Sequence, residues 1–133
     1  MRTRLTIAVV SIAGLLAAVP VVAHHSFAAE YDADKPIKVT GTVTKIEWTN
    51  PHCFFYVDVK NEAGKTENWG FEMGNPNALL RLGWTRNSLK QGDTVTVDGS
   101  RARDGSLHAN ARVMVLASTG KRLFAGSSQG SNP

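Results

Sequence analysis

Residues 37–48 read IKVTGTVTKIEW, and this stretch decides the fold. Its apolar residues stand at odd positions as far as Val43 and at even positions from Ile46 onward. Alternation with period two predicts a β-strand with one buried face. A slip of one residue within the alternation predicts a β-bulge that bends the strand, and Gly41 nearby makes the bend less costly. The sequence therefore predicts a long, bent first strand.

The next two strands flank a hairpin. Residues 52–60 alternate, with Cys53, Phe55, Val57 and Val59 on one face and His52, Phe54, Tyr56 and Asp58 on the other. Residues 65–73 return after the Asn61–Gly64 loop, with Trp69, Phe71 and Met73 in one phase. Asn75 as N-cap and Pro76 at the first helical position then predict a helix over residues 76–82.

Two further strands follow at residues 92–98 and 107–116, separated by an Asp104-Gly105 turn, and a short edge strand is predicted over residues 121–124. The OB-fold has this order of elements, with three strands, a short helix and then two strands. The prediction is an all-β domain over residues 37–125, a small five-stranded OB-fold-like Greek-key barrel with one short helix. Its inward residues are predicted to be Val39, Val43, Phe55, Val57, Val59, Phe71, Leu79, Val95, Val97, Val113 and Val115.

The two ends of the chain differ from this domain. Residues 1–23 are typical of a secretory signal peptide, with Arg2 and Arg4 ahead of an apolar run and small residues before Ala23. Cleavage after Ala23 would leave a periplasmic or secreted protein that begins at His24 and has no membrane span. Residues 24–36 show no clean period and predict an N-terminal arm, and residues 126–133 predict a disordered tail.

Composition limits the function. The chain has 15 Lys and Arg against 11 Asp and Glu, and two of the cations lie in the leader. This balance and the predicted export argue against a nucleic-acid partner. Cys53 is the single cysteine, so no intrachain disulfide can form, and its apolar neighbours predict a buried side chain.

A family resemblance extends over nearly the whole mature chain, from His24 to about Phe124. It rests on HHSFAAEYD at 24–32, GTVTKIEWTNPHCFFYVDV at 41–59 and NALLRLGWTRNSLKQGDTVTVDG at 77–99. These segments resemble a bacterial family of small exported proteins of unknown function. The resemblance implies export and a small β-rich domain, and it implies no activity.

Histidines are the residues best suited to chemistry. If His24 becomes the N-terminus, its α-amine and imidazole can chelate one metal ion, and His52 can supply a third nitrogen. Three nitrogen donors favour copper, with zinc as the alternative. His25 is a substitute or fourth ligand. The opposing interpretation is that His24 and His25 are ordinary polar residues of a frayed terminus and that His52 caps a turn.

An aromatic surface is the second candidate site. Phe54 and Tyr56 share the outer face of the second strand, and Trp48 ends the first. In OB-folds this face often binds ligands by stacking. The sequence therefore leaves open a metal-free module that binds a small ligand, a saccharide, a peptide or an envelope protein. The simpler alternative is that the N-terminal arm covers these rings.

Enzyme signatures are poor in the folded domain. Ser26, Ser88, Ser100 and Ser106 lie in no G-x-S-x-G setting, no phosphate loop is present, and the glutamates show no catalytic spacing. We therefore expect a non-enzymatic binding protein. Its cofactor would be copper, alternatively zinc, or none.

The cleavage site gives a direct prediction. Protein expressed with its own leader and recovered from the periplasm or medium should begin at His24. N-terminal sequencing measures this. A first residue other than His24 would remove the proposed amine–imidazole chelate.

Overall fold

The structure, a computed structural model, describes residues 27–126. The predicted leader, His24, His25 and the part of the predicted tail after Gly126 lie outside these residues. The elements are α1 (Phe27–Glu30), β1 (Tyr31–Glu47), β2 (Phe54–Lys60), β3 (Thr66–Glu72), α2 (Pro76–Arg81), β4 (Thr94–Ala102), β5 (His108–Leu116) and β6 (Arg122–Phe124).

The strands pair in a closed ring. β1 pairs with β2 and β4, β2 with β3, and β4 with β5, all antiparallel. A short parallel pairing of β3 with β5 closes the ring, and β6 extends it beyond β5. This is the predicted OB-fold-like arrangement with its helix between β3 and β4, so the fold class is confirmed. Neither helix of the described part is long and apolar enough to cross a membrane.

The bend in β1 makes the ring possible. β1 pairs with β4 through Thr42 and with β2 from Thr42 onward, and its register against β2 shifts between Val43 and Lys45, as the phase slip predicts. Gly41 sits where β1 passes very close to β2, because a Cβ there would lie 2.1 Å from the Asp58 carbonyl oxygen. The bend therefore requires glycine at this position.

β1 begins earlier than predicted. Residues 31–36, expected to belong to an arm, are part of the strand, which starts at Tyr31 and not at Ile37. Tyr31 pairs with Ala102, and the register breaks between Tyr31 and Pro36. That irregularity hides the strand in the sequence, because residues 32–35 are polar or exposed and show no alternation.

The core contains most of the predicted inward residues, together with Cys53 and Trp84. β5 differs from the prediction after Ala111. The β4–β5 register shifts between Asp98 and Gly99, which inserts Arg112 as an extra residue on β5. Met114 therefore faces the core, while Val115 is only half-buried.

α2 follows its sequence signals closely. The Asn75 Oδ1 accepts a hydrogen bond from the Ala78 N–H at 2.8 Å, and Pro76 opens the helix. The helix ends at Arg81, one residue earlier than predicted. Its Leu79 side chain is fully buried and attaches the helix to the core.

Phe55 tests the phase of β2. Its side chain is fully buried and its ring stacks on Phe71 with centroids 5.3 Å apart. Phe55→Ala should lower the free energy of unfolding by about 3–5 kcal/mol, measured by urea denaturation. Phe54→Ala, on the opposite and partly exposed face, is the matched control and should lower the free energy of unfolding by less. Equal losses for the two variants would contradict the assigned faces.

Candidate functional site

An open cleft of about 680 Å³ lies on the outside of the ring. Its walls are α1, the start of β1, the turn between β4 and β5, and the outer faces of β2, β3 and β5. We call it the outer cleft. Its principal side chains are Glu30, Tyr31, Phe54, Glu72, Arg103 and His108. In OB-folds, this face and the loops beside it commonly bind ligands.

Glu72 is the charged centre of this region. It is only 9% exposed, although it lies on the outer face of β3 opposite Phe54. Its Oε2 accepts a hydrogen bond from the Tyr31 hydroxyl at 2.5 Å, and its Oε1 bonds the Nδ1 of His52. A buried carboxylate is stable only with such partners. The two bonds join the start of β1 to the loop after it.

The bond to Glu72 orients His52. A carboxylate accepts hydrogen bonds, so Nδ1 carries the hydrogen, and in the neutral imidazole Nε2 is then the nitrogen with the lone pair. The His52 side chain is 44% exposed. Histidines that bind metals commonly have this arrangement, with one ring nitrogen held by a carboxylate and the other free for the ion.

Tyr31 is buried beneath α1, where its ring packs on Phe27 with centroids 5.6 Å apart. Burial raises the pKa of the Tyr31 phenol well above its usual value, and the hydrogen bond to Glu72 raises that pKa further. The hydroxyl thus remains a donor to Glu72 at physiological pH.

His108 lies in the outer cleft, whose lining does not include His52. Its ring rests on Gly70, where a Cβ would lie 2.5 Å from the His108 Cδ2 and 3.1 Å from the Tyr56 Cε1. The Ser106 Oγ lies 3.4 Å from its Nδ1. The absence of a side chain at Gly70 therefore lets His108 and Tyr56 meet on the sheet surface.

Two of the predicted aromatic residues share the outer face of β2. Phe54 lines the outer cleft. Tyr56 lies further along the same face, with its hydroxyl 3.3 Å from the Glu47 Oε2 and the Lys45 Nζ 5.4 Å from its ring centroid. Trp48 is partly buried and packs against the core.

The predicted metal ligands fall into two groups. His52 is placed as described above, whereas His24 and His25 precede the described residues. Within residues 27–126, no three His, Cys, Asp or Glu side chains are grouped to hold a metal ion.

Sequence reasoning missed Glu72 and Tyr31. A signal for Glu72 was present, because an acidic residue lies between the core residues Phe71 and Met73 of one strand. Tyr31 had no comparable signal, since its burial depends on the ring closing around it.

The fold and the cleft define a small OB-fold-like β-protein with a buried Tyr–Glu–His cluster on its outer face. The chain belongs to a family of unknown function, DUF6152, whose model matches residues 12–111.

Among solved structures, the chain is similar to the mitochondrial single-stranded DNA binding protein Rim1 from S. cerevisiae. The two share 13% sequence identity with a TM-score of 0.49, and the match covers 62% of this chain and 93% of that chain. No curated protein matches the chain in sequence.

The raised pKa of Tyr31 predicts a loss of stability in alkali. Above pH of about 10, the phenol of the unfolded chain loses its proton while the folded chain retains it. The free energy of unfolding should therefore fall as pH rises from about 9 to 11, measured by urea denaturation.

Tyr31→Phe has no proton to lose there and should show a shallower decline. Tyr56→Phe is the matched control, because Tyr56 is less buried and should account for less of the decline. Parallel declines for wild type and Tyr31→Phe would contradict the role of the buried phenol.

Proposed function

We propose that this protein is a small exported, non-enzymatic metal-binding protein that holds copper, or alternatively zinc, through His52 and its N-terminal histidines. The observation that carries the proposal is the bond between Glu72 and the Nδ1 of His52. It leaves Nε2 free on a half-exposed ring and fixes the direction of that ring. Carboxylate partners of this kind also raise the basicity of a metal-binding imidazole.

The start of the described chain lies close to this cluster. Phe27 packs on Tyr31, and Tyr31 donates to the same carboxylate that holds His52. His24 stands three residues before Phe27, and three extended residues span at most about 10 Å. This short tether supports an approach of the first residues to His52.

The donor set favours copper. Cleavage after Ala23 would give His24 a free α-amine beside its own imidazole, and the Nε2 of His52 would add a third nitrogen. His25 is the fourth candidate. Nitrogen donors suit Cu(II) in a tetragonal arrangement, and zinc would use the same imidazoles in a tetrahedral one. Metal buffering or delivery in the periplasm is the role that we propose for such a site.

A metal-free ligand-binding module is the second candidate function. Phe54 and His108 line the outer cleft, whose volume would accept a small molecule. Three acidic residues, Glu30, Glu72 and Asp104, line the cleft against one arginine, Arg103. This charge favours a neutral saccharide or a peptide over a polyanion. The ligand of such a module could instead be an envelope protein that docks at this face.

Copper titration by calorimetry tests the metal site. Protein beginning at His24 should bind one Cu(II). One extra residue ahead of His24 should weaken binding sharply, because the amine then leaves the chelate ring of the His24 imidazole. His52→Ala should weaken binding through loss of a ligand. Glu72→Gln should weaken it roughly 10–100-fold, because the ring loses its carboxylate partner.

His108→Ala is the matched histidine control and should leave copper affinity unchanged, since its ring rests on Gly70 beside Ser106 while Glu72 bonds His52 and Tyr31. Thermal unfolding of each metal-free variant checks that it folds. If the extended and His52→Ala proteins bind copper as tightly as the protein beginning at His24, the metal site is wrong and the ligand-binding module replaces it.

A further inference from the structure

Charge is segregated along the described chain. Residues 73–92 and 105–126 contain no Asp or Glu, and they carry six Lys or Arg side chains. Residues 27–72, by contrast, carry eight acidic residues against five lysines. The six cations of the acid-free segments are all exposed, and they are Arg81, Arg86, Lys90, Arg112, Lys121 and Arg122.

Folding brings the two acid-free segments together. The Gly74 N–H donates to the Ala125 carbonyl at 2.8 Å, and the Trp84 Nε1 donates to the Phe124 carbonyl at 2.8 Å. The chain around α2 therefore packs on β6, at the end of the ring where β3 finishes. We call this part of the surface, with its six cations, the basic end.

The cations of the basic end have no acidic partner within residues 27–126. None of the six forms an ion pair with a described carboxylate. Asp93, which follows the first segment, accepts the Lys90 backbone N–H through its Oδ2 at 2.8 Å. The Arg122 Cζ lies 5.6 Å from the Phe124 ring centroid, so this guanidinium contacts a ring and not an anion. Cations gathered in this way attract an extended anionic surface.

We propose that the basic end docks on an anionic phospholipid membrane. Each Lys or Arg brought to such a membrane raises the affinity about fivefold. A cluster of cations therefore supports reversible binding without a membrane-spanning helix. The inference needs no metal, and it shares with the proposed function only the export of the chain.

The basic end also offers an apolar contact. Leu80 on α2 is 52% exposed, and Arg81 follows it directly. At the boundary between lipid headgroups and acyl chains, burial of apolar side chains adds to the electrostatic attraction. The buried Leu79 holds α2 to the core, so the helix presents Leu80 and Arg81 from a fixed support.

A single-stranded nucleic acid is the other polyanion that this surface could attract. Proteins that bind single strands combine cations with exposed rings on which the bases stack. At the basic end, Trp84 is only 2% exposed and Arg122 lies over the ring of Phe124. The observations therefore favour the membrane, because charge alone attracts proteins to it.

Co-sedimentation with lipid vesicles tests the docking. Metal-free protein beginning at His24 should bind vesicles of phosphatidylglycerol and phosphatidylcholine in equal parts, and it should not bind vesicles of phosphatidylcholine alone. Binding should weaken as NaCl rises from about 0.05 M to about 0.5 M, because salt screens exposed charges. Binding to phosphatidylcholine alone, or binding that salt leaves unchanged, would overturn the proposal.

Charge variants locate the docking surface. Arg112→Gln combined with Arg122→Gln should weaken vesicle binding about 25-fold, or about fivefold for each charge. Lys60→Gln combined with Lys65→Gln is the matched control. It removes the same net charge at the other end of β3 and should stay within about twofold of wild type. Equal losses in the two double variants would show that net charge alone attracts the protein, and the basic end would be wrong.

A second pair of substitutions separates charge from folding. Arg112→Lys combined with Arg122→Lys keeps both charges and should bind vesicles within about twofold of wild type. Thermal unfolding checks that each double variant folds. A loss in the Lys variant as large as in the Gln variant would contradict attraction by charge.

Two soluble competitors identify the source of the phosphate. Glycerol phosphate, at the phosphate concentration of the vesicles, should not displace the protein, because one headgroup supplies only part of the attraction of a surface. Displacement would indicate a site for a free phosphate instead. An oligothymidylate should bind more weakly than the vesicles at equal phosphate concentration, and tighter binding would overturn the membrane in favour of a nucleic acid.

The vesicle experiments and the copper titration fail independently. Protein that binds anionic vesicles but no copper would leave the docking standing and remove the metal site. Protein that binds copper but no anionic vesicles would leave the metal site standing and remove the docking.

Discussion

The arrangement of side chains on the outer face depends on the Glu72 carboxylate, because it bonds both Tyr31 and His52. β1 runs from Tyr31 to Glu47 and would be roughly 50 Å long if it were straight. Yet Tyr31 at its start and His52 just beyond its end bond the two oxygens of one side chain. The bend beside Gly41 makes this convergence possible, and the buried charge in turn requires both donors.

The fold was largely predictable because its strands obey period two. Phe55, Phe71 and Val95 stood in the correct phase, and even the bulge in β1 left a visible slip in the sequence. The insertion of Arg112 left no such trace, because Val113 and Met114 are both apolar and either could face the core. The burial of Tyr31 was not predicted for a related reason, since the residues after it do not alternate between apolar and polar.

The site was less predictable than the fold. His52 was predicted from its residue type and from its place just before β2, in the phase of the non-core face. Glu72 and Tyr31 acquire their roles through contacts across 20 and 41 residues of sequence, and the pattern within one strand does not encode such contacts. Of the three aromatic residues predicted to bind a ligand, Phe54 and Tyr56 share the outer face of β2, whereas Trp48 packs against the core.

Because these contacts join residues far apart in the sequence, the state of the His52 ring differs between the unfolded and the folded chain. In an unfolded chain, the His52 imidazole rotates freely and either ring nitrogen can carry the hydrogen. The Glu72 carboxylate selects one tautomer in the folded chain, where the pairing of β3 with β2 brings it beside the loop that carries His52. The direction of the His52 ring and the place of its hydrogen are therefore properties of the folded chain and not of the sequence around His52.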